Sequence, residues 1–341
     1  MKQTEPIGVG LLGFGYWGPN LARNIAASDR MVLNAIAEPI AANLAAAGRA
    51  FPLATTFSDA KSVIVDPTVS LLVVATPPAT HFDLVSHALG MGKHVLVEKP
   101  LATSTAEARE LVKLAEKANR QLFVDHTFLF TGAVRKIREE LASAGEVLYY
   151  DATRTNLGTF QSGTDVLWDL APHDLSILLS LVPEPVELVA AIGACHGPAT
   201  GPTMAYLTLR FSSGLLAHIH VNWMAPAKVR RTIIGGTRRM LVYDDIESSE
   251  KLKIYESSGN LDFGPSEDLH RRMVDYRIGD MLSPQLDQTE ALAAEMAHVA
   301  RVLLNGETPI SSGDLGLRVV EVIEAAQRSL TNNGTPVSVM I

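Results

Sequence analysis

Cysteine is almost absent from this chain, since its 341 residues contain only Cys195. No disulfide can form within the chain, and a zinc site built from several cysteines is excluded. A single cysteine beside Ala194 is more typical of a small core residue than of a reactive nucleophile. We therefore predict that Cys195 is buried and has no catalytic role.

Charged residues are also scarce, and basic residues are the scarcer kind. Only 19% of the residues are charged, and 29 Lys and Arg against 37 Asp and Glu give a net charge of −8. This balance lacks the basic footprint of a nucleic-acid-binding protein, and an anionic membrane surface would repel it. We expect neither nucleic acid nor a membrane as a partner. Global disorder is excluded because 47% of the residues are hydrophobic.

Long hydrophobic runs are missing as well. No apolar stretch approaches the roughly 18–20 residues that cross a bilayer. The apolar segment at 7–14 is short and rich in glycine, and no cleavage site typical of a signal peptide follows it. We expect a cytoplasmic protein.

The first third of the chain alternates short apolar runs with helical patterns. The runs at 7–12, 32–37, 71–75, 94–97 and 122–124 predict buried strands, and helical patterns separate them. Near-continuous apolar strands that alternate with helices indicate a parallel sheet covered on both faces. The sequence predicts an α/β fold class, with a doubly wound N-terminal domain at 1–126.

Beyond residue 126 the pattern changes to strands that alternate in polarity. At 207–211 and 215–223 every second residue is apolar, which is typical of a sheet with one buried face. Further strands at 229–234 and 238–243 flank a predicted turn at Gly235 and Gly236. The sequence predicts an α+β domain at 127–341 with a mostly antiparallel open sheet. Helices are expected at 165–181, 290–304 and 315–330.

The first predicted strand runs directly into GFGYWG at 13–18, and a helix follows. In such a loop the first glycine permits a tight turn, the second lets the backbone approach a pyrophosphate, and the third allows close packing. Glu38 ends the second strand, 20 residues after the last glycine, where a carboxylate can accept hydrogen bonds from the adenosine ribose. The same carboxylate would repel a 2′-phosphate, so NAD is favoured over NADP.

Two further strand ends carry polar residues at the edge where ligands bind in open α/β sheets. Thr76, Pro77 and His81 follow the fourth strand, although the prolines there are equally typical of a helix start. Glu98 and Lys99 follow the fifth strand, and a lysine there can stabilise the alkoxide that develops as hydride leaves. An exposed lysine without a function remains the alternative.

Asp169 and His173 are four residues apart, so on a helix they share one face. A histidine can act as general base for a hydroxyl, and a nearby carboxylate can orient it. A solvated helix pair is the alternative, and Pro172 indicates either a first turn or an interrupted helix.

These motifs, in this order and spacing over nearly the whole chain, resemble the Gfo/Idh/MocA family of glucose-fructose oxidoreductases and inositol dehydrogenases. The resemblance implies that residues 1–126 form an N-terminal Rossmann dinucleotide-binding domain, and that Lys99 and His173 flank the substrate beside the nicotinamide. It also implies that the open sheet of the second domain forms a homodimer or homotetramer. The implied catalytic residues are Lys99, Asp169 and His173. The implied cofactor-binding residues are Gly13, Gly15, Tyr16, Trp17, Gly18, Glu38, Thr76, Pro77, His81, Glu98 and Lys99.

A finer resemblance is to the family members that act at carbon 3 of nucleotide-linked sugars. It depends on the segments at 15–20, 125–130, 154–158, 166–174 and 222–223, and on 276–280 with Ser283 and Pro284. The candidate substrate-binding residues are His126, Arg154 and Asn156. Arg154 is the preferred cation for a diphosphate, whereas a solvated sheet edge is favoured for the arginines at 230, 231, 238 and 239. For His126, a satisfied boundary histidine is equally compatible with the sequence.

The predicted function is NAD-dependent oxidation or reduction of a secondary alcohol, at carbon 3 of a nucleotide-linked sugar. A free polyol or simple sugar is the nearest competing substrate. NAD-dependent glycosidase chemistry and a non-catalytic dinucleotide sensor also remain open. No metal is expected, because this chemistry does not need one and the pair His218 and His220 has no acidic partner nearby in sequence.

Overall fold

A computed structural model describes residues 5–157, 164–197, 199–257 and 278–339. The chain forms two compact units, one from 1–131 with 289–321 and the other from 132–288 with 322–341. The first boundary lies near the predicted one at residue 126. The segment 289–321, which we expected in the second domain, belongs to the first unit.

The first unit contains a parallel six-stranded sheet in the order β3-β2-β1-β4-β5-β6. Its central strands are buried along nearly their whole length, as the near-continuous apolar runs predicted. The strands are β1 Ile7–Leu12, β2 Met31–Ala37, β3 Thr55–Phe57, β4 Leu71–Val74, β5 His94–Glu98 and β6 Leu122–Asp125.

Helices connect these strands, as a parallel sheet requires. They are α1 Gly18–Ala26, α2 Ala41–Ala50, α3 Ala60–Ile64, α4 His81–Gly90 and α5 Thr105–Ala118. α5 begins where the hydroxyl of Ser104 accepts the N–H of Glu107, and it ends at Asn119 in the left-handed conformation.

One more helix of this unit, α8 (Ala291–Asn305), comes from late in the chain. Its residues Leu292, Met296 and Val299 lie in the same buried cluster as Val9 and Leu11 of β1. Burial of this apolar face explains why 289–321 belongs to the first unit.

The second unit contains a nine-stranded sheet in the order β14-β13-β12-β11-β7-β10-β9-β8-β15. Within the described strands of this sheet only β7 and β10 pair in parallel, so the sheet is mostly antiparallel as predicted. The strands are β7 Val147–Leu157, β8 Val186–Ala194, β9 Met204–Phe211, β10 Leu216–Asn222, β11 Met224–Gly236, β12 Arg239–Asp244, β13 Leu252–Ser257, β14 Ile278–Leu282 and β15 Val337–Ser338.

Among the described residues, the helices of this unit are α6 (Gly132–Glu140), α7 (Val166–Leu181) and the part of α9 (Gly313–Thr331) from residue 322 onward. α7 packs on β7, β9 and β10. The predicted alternation is confirmed, since Leu207 and Ile219 are fully buried whereas Tyr206 and Leu216 are exposed. One face of the sheet is therefore core, and the opposite face carries polar and exposed side chains.

Two details differ from the sequence predictions. Gly235 and Gly236 lie inside β11, and the chain turns at the next two residues. A Cβ on Gly235 would lie 2.0 Å from the ring of Tyr149, so this glycine makes room for an aromatic side chain. The prediction of a buried Cys195 is wrong, because the residue follows the end of β8 and is exposed. No helix of the described residues is long and apolar enough to span a membrane.

The packing of α8 predicts the effect of a core substitution. Met296 is 1% exposed, so Met296→Ala should lower the free energy of unfolding by about 2–5 kcal/mol through a cavity. Denaturant unfolding measures this effect. Met91→Ala, at a position 49% exposed, is the matched control and should change it by less than about 0.5 kcal/mol. Equal effects of the two variants would contradict the packing of α8.

Candidate active site

The loop between β1 and α1 has the geometry of a phosphate-binding turn. Gly13 has φ +92°, and a Cβ there would lie 2.5 Å from the carbonyl oxygen of Ala75. A Cβ on Gly18 would lie 2.4 Å from the carbonyl oxygen of Gly13. A Cβ on Gly15 would meet nothing within 4 Å. The first and third glycines are therefore required for packing, and the second leaves the space that a dinucleotide pyrophosphate needs.

Glu38 lies directly after β2 and is almost fully buried, at 4% exposure. Its carboxylate accepts the backbone N–H of Phe14 at 2.6 Å and that of Ile40 at 2.9 Å. Each carboxylate oxygen retains a further lone pair that can accept a hydrogen bond from a ribose hydroxyl. The ribose contact itself stays a prediction. Tyr16 and Trp17 are exposed on the loop, 85% and 43% respectively, where a cofactor could contact them.

The residues after β4 form a tight hydrogen-bonded turn. The Thr76 and Thr80 hydroxyls are 2.7 Å apart, and Pro77 precedes a single 3-10 turn at 78–80 that leads into α4. The ring nitrogens of buried His81 lie 2.8 Å from the carbonyl oxygen of Pro100 and 2.9 Å from that of Thr76. Burial lowers the pKa of His81, and the two carbonyls oppose this shift. His81 thus ties together the ends of β4 and β5, while its contact with a cofactor stays a prediction.

Lys99 follows the last residue of β5, Glu98, and is joined to Pro100 by a cis peptide bond. Glu98 pairs in register with Asp125, the last residue of β6. His126 comes next and is 1% exposed, and neither of its ring nitrogens has a hydrogen-bond partner in the described part of the chain. Burial, and then the charge of Lys99, lower the pKa of His126 to about 3. It is therefore a neutral imidazole without the protein partners that a boundary histidine would have.

In the second unit, Asp165 caps α7 by accepting the N–H groups of residues 167 and 168 at 2.9 and 3.1 Å. The helix continues through Pro172 without a break, so Asp169 and His173 lie one turn apart on it, as expected. The indole N–H of Trp223 donates to Asp169 Oδ2 at 3.0 Å. Sequence reasoning placed Trp223 on the buried face but did not identify it as a partner of Asp169.

Arg154 lies in β7, and its environment differs from the one we expected. Its guanidinium donates two hydrogen bonds to Asp174, at 2.7 and 2.9 Å, and both side chains are nearly fully buried. Its charge is thus neutralised inside the unit, which removes the support for a diphosphate contact. Asp174 follows His173 directly, but nothing in the sequence indicated its partner.

Asn156 and the histidines of β10 are the remaining candidates in the second unit. The side-chain oxygen of Asn156 is buried without a hydrogen-bond partner in the described residues, which leaves it open to a substrate hydroxyl or amide. His220 stacks on Tyr206, with ring centroids 4.3 Å apart. The described residues contain no group of three or more His, Cys, Asp and Glu that could hold a metal. The residues at 158, 276 and 277, which contributed to the finer resemblance, lie outside the described residues.

The basic residues of β11 and β12 are engaged within the sheet unit. Arg230 pairs with Asp245 at 2.9 Å, and Arg239 pairs with both Glu140 and Glu256. Arg238 donates to the carbonyl oxygen at residue 142, and Arg231 is exposed. The prediction of a solvated sheet edge is wrong, because β11 and β12 are interior strands of the sheet. The ion pairs of Arg230 and Arg239 do not favour a phosphate site either.

Comparison with known proteins agrees with both units. Residues 7–126 match the family model described as "Oxidoreductase family, NAD-binding Rossmann fold". Residues 132–242 match the "GFO/IDH/MocA C-terminal domain". The fold prediction and the prediction of an NAD-binding domain are confirmed.

Individual relatives are named for activities on sugars and polyols. The chain is 30% identical to UDP-N-acetylglucosamine 3-dehydrogenase of Acidithiobacillus ferrooxidans, over 84% of this chain and 88% of that one. It is 22% identical to scyllo-inositol 2-dehydrogenase (NADP(+)) of Bacillus subtilis, over 96% and 95% respectively. A levoglucosan dehydrogenase, solved with NADH and levoglucosan, shares the fold with a TM-score of 0.85 at 21% identity, over 99% and 100%.

The glycine loop predicts that cofactor binding and folding can be separated. Gly15→Ala should leave the stability of the free protein within about 0.5 kcal/mol of wild type, because its Cβ meets open space. It should weaken NAD binding about tenfold or more, because the methyl group takes space needed by the pyrophosphate. Calorimetric titration with NAD and thermal unfolding measure the two effects. Gly18→Ala is the contrasting variant and should lose stability, because its Cβ would lie too close to the carbonyl oxygen of Gly13. Tight NAD binding by Gly15→Ala would contradict the assignment of this loop as the pyrophosphate site.

The Arg154–Asp174 pair predicts a structural role for Arg154. Arg154→Met should lower the free energy of unfolding by about 3–5 kcal/mol, because it leaves the Asp174 carboxylate buried and unpaired. Urea unfolding measures this loss, and Arg231→Met at an exposed position is the matched control. A stable Arg154→Met protein that binds a nucleotide sugar more weakly would instead restore the diphosphate role.

Proposed function

Because the chain belongs to the Gfo/Idh/MocA family of NAD-binding oxidoreductases, we propose that it transfers hydride between NAD and a secondary alcohol of a sugar. The proposal depends on the candidate residues that are grouped at one edge of the first sheet. β1, β4, β5 and β6 are neighbours in it. Their carboxyl ends lead into the open glycine loop, Thr76, Lys99 and the unpartnered His126. Ligands of open α/β sheets bind at such an edge.

Each candidate residue has a chemical role in this reaction. NAD, when bound, supplies the hydride acceptor. Lys99 stabilises the oxyanion that develops on the substrate oxygen, and His173 takes the hydroxyl proton. Asp169 orients His173, and the indole of Trp223 holds Asp169 in place. In the reverse direction, His173 returns the proton and the same residues reduce a ketone.

The preferred substrate is a nucleotide-linked hexose or hexuronate that reacts at carbon 3. The finer resemblance in the sequence supports this choice, as does the 30% identity to a protein named UDP-N-acetylglucosamine 3-dehydrogenase. The buried amide oxygen of Asn156, which has no hydrogen-bond partner in the described part of the chain, supports recognition of a polar sugar substituent. The pairing of Arg154 with Asp174 weakens the support for Arg154 as the partner of the diphosphate.

A free polyol or simple sugar is the second candidate substrate. The observation in its favour is that same ion pair, because a neutral substrate needs no cation to bind a diphosphate. A relative named scyllo-inositol 2-dehydrogenase also aligns over nearly the whole chain.

We further propose that the open face of the second sheet joins copies of this chain into a homodimer or homotetramer. Tyr149, Ile192, Tyr206 and Leu216 are 41–66% exposed on strands whose alternate residues are buried. Exposed apolar groups on one face are typical of subunit interfaces. Sedimentation of the full chain measures the subunit number.

The activity test is NADH absorbance with NAD and a panel of UDP-hexoses, UDP-hexuronates and free polyols. Turnover with one substrate class should fall about 100-fold or more in Lys99→Ala, because an oxyanion-stabilising group is lost. Lys113→Ala on the exposed face of α5 is the matched control and should retain full activity. Turnover with polyols alone would select the second candidate. NAD binding without turnover on any of the substrates would contradict the proposed dehydrogenase.

A further inference from the structure

Three carboxyl groups meet inside the first unit, directly beneath the edge that carries Lys99. Glu98 and Asp125 end the paired strands β5 and β6. Glu295 comes from α8, late in the chain, and lies on the helix face that packs into the unit. Asp125 is 3% exposed and Glu295 is 1% exposed. Buried acids of this kind require partners or protons, because an isolated charge in the interior is costly.

The partners within the described residues are too few for three ionised carboxylates. Thr127 donates its hydroxyl to Asp125 Oδ1. Asp125 Oδ2 and both oxygens of Glu295 receive no N–H or O–H from any described group. Glu98 and Glu295 instead each face Asp125 at hydrogen-bonding range. Two carboxyls at that range can bond only if one of them carries a proton.

The surrounding charges indicate which carboxyls carry protons. Burial and then the charge of Asp125 raise the pKa of Glu98 and of Glu295 well above the ordinary range. Lys99 opposes this shift at Glu98, and Glu98 adds to it at Glu295. His126 beside them is neutral, with its pKa lowered to about 3. Lys99 is the cation whose charge acts on Glu98 and on His126.

We propose that Glu295 is a positioning residue for Lys99: its carboxyl donates a hydrogen bond to Asp125, which pairs with Glu98 directly before Lys99. Three ionised carboxylates would hold the ammonium of Lys99 strongly and compete with the substrate oxyanion for it. A proton on Glu295 lowers the negative charge of the cluster, so that Lys99 is oriented by it and remains able to stabilise the oxyanion.

An independent observation shows that this edge is built for a ligand. Both ring nitrogens of His126 are buried and have no partner in the described residues. A buried imidazole without partners is costly unless a bound molecule satisfies it. The inference about Glu295 rests on the proposed role of Lys99, but the protonation of Glu295 can be tested without any activity.

The first test compares wild type with Glu295→Gln, which keeps the size and a donor group but cannot ionise. A carboxyl with a raised pKa binds its proton more tightly in the folded protein, so wild type loses stability as the pH rises above about 4.3. We therefore compare the unfolding equilibrium constants of the two proteins as the pH is raised. The ratio of the wild-type constant to that of Glu295→Gln should rise by up to about tenfold for each pH unit between roughly 5 and 7. Infrared spectra at neutral pH should show one protonated carboxyl fewer in the variant.

Glu110→Gln, at an exposed position on α5, is the matched control and should show neither difference. Parallel pH curves for Glu295→Gln and wild type, with an unchanged carboxylic acid band, would show that Glu295 is ionised and would overturn the proposal. Because both measurements use the full chain without substrate, they stand whether or not Lys99 is catalytic.

The second test measures the effect on Lys99 through turnover. Glu295→Gln should retain kcat within about threefold of wild type, because its amide still donates to Asp125. Glu295→Leu should lose kcat about tenfold or more at an unchanged KM for NAD, because Lys99 is no longer oriented. If Lys99→Ala itself remains active, the proposed function fails. If Lys99→Ala is inactive but Glu295→Leu retains full kcat, only the positioning role of Glu295 fails.

Discussion

The carboxyl ends of the parallel strands in the first unit all point to one edge of the sheet, and every candidate cofactor residue depends on this constraint. Parallel pairing of β1 with β4, of β4 with β5 and of β5 with β6 brings together loops that are far apart in sequence. Because backbone hydrogen bonds and buried apolar side chains hold the strands, the loops need contribute little to stability. They can therefore carry an open glycine turn, a lysine and an unpartnered histidine.

Burial decides which charged groups are available for chemistry. The buried carboxylate of Glu38 accepts two backbone N–H groups, which shapes the glycine loop while leaving lone pairs for a ligand. The buried Arg154 and Asp174 neutralise each other across β7 and α7, so removing either one would leave an unpaired buried charge. Directly after β5, Lys99 places a positive charge beside the buried acids, and this charge acts on Glu98. Protons, rather than ion pairs, then balance the excess negative charge.

Membership of an NAD-binding oxidoreductase family defines the reaction of this protein more closely than it defines the substrate. The relatives include proteins named for a nucleotide sugar and for an inositol, so substrate choice varies on a common scaffold. In the proposed function, the residues that distinguish these substrates are those around α7 and β7 in the second unit. The hydrogen bond from Trp223 to Asp169 lies there, as does the side-chain oxygen of Asn156, which has no hydrogen-bond partner among the described residues.

The sequence by itself determined the two-part fold, the parallel and mostly antiparallel sheets, the glycine loop and the Asp169–His173 spacing. These follow from periodicity and from short-range spacing, which the chain carries locally. Only the tertiary structure decided that α8 returns to the first unit, that Arg154 pairs with Asp174, and that Glu295 reaches Asp125. An acid among the apolar residues of α8 was a signal for the last of these, but its partner lies 170 residues away. Such pairings depend on which buried faces meet, and no local pattern encodes them.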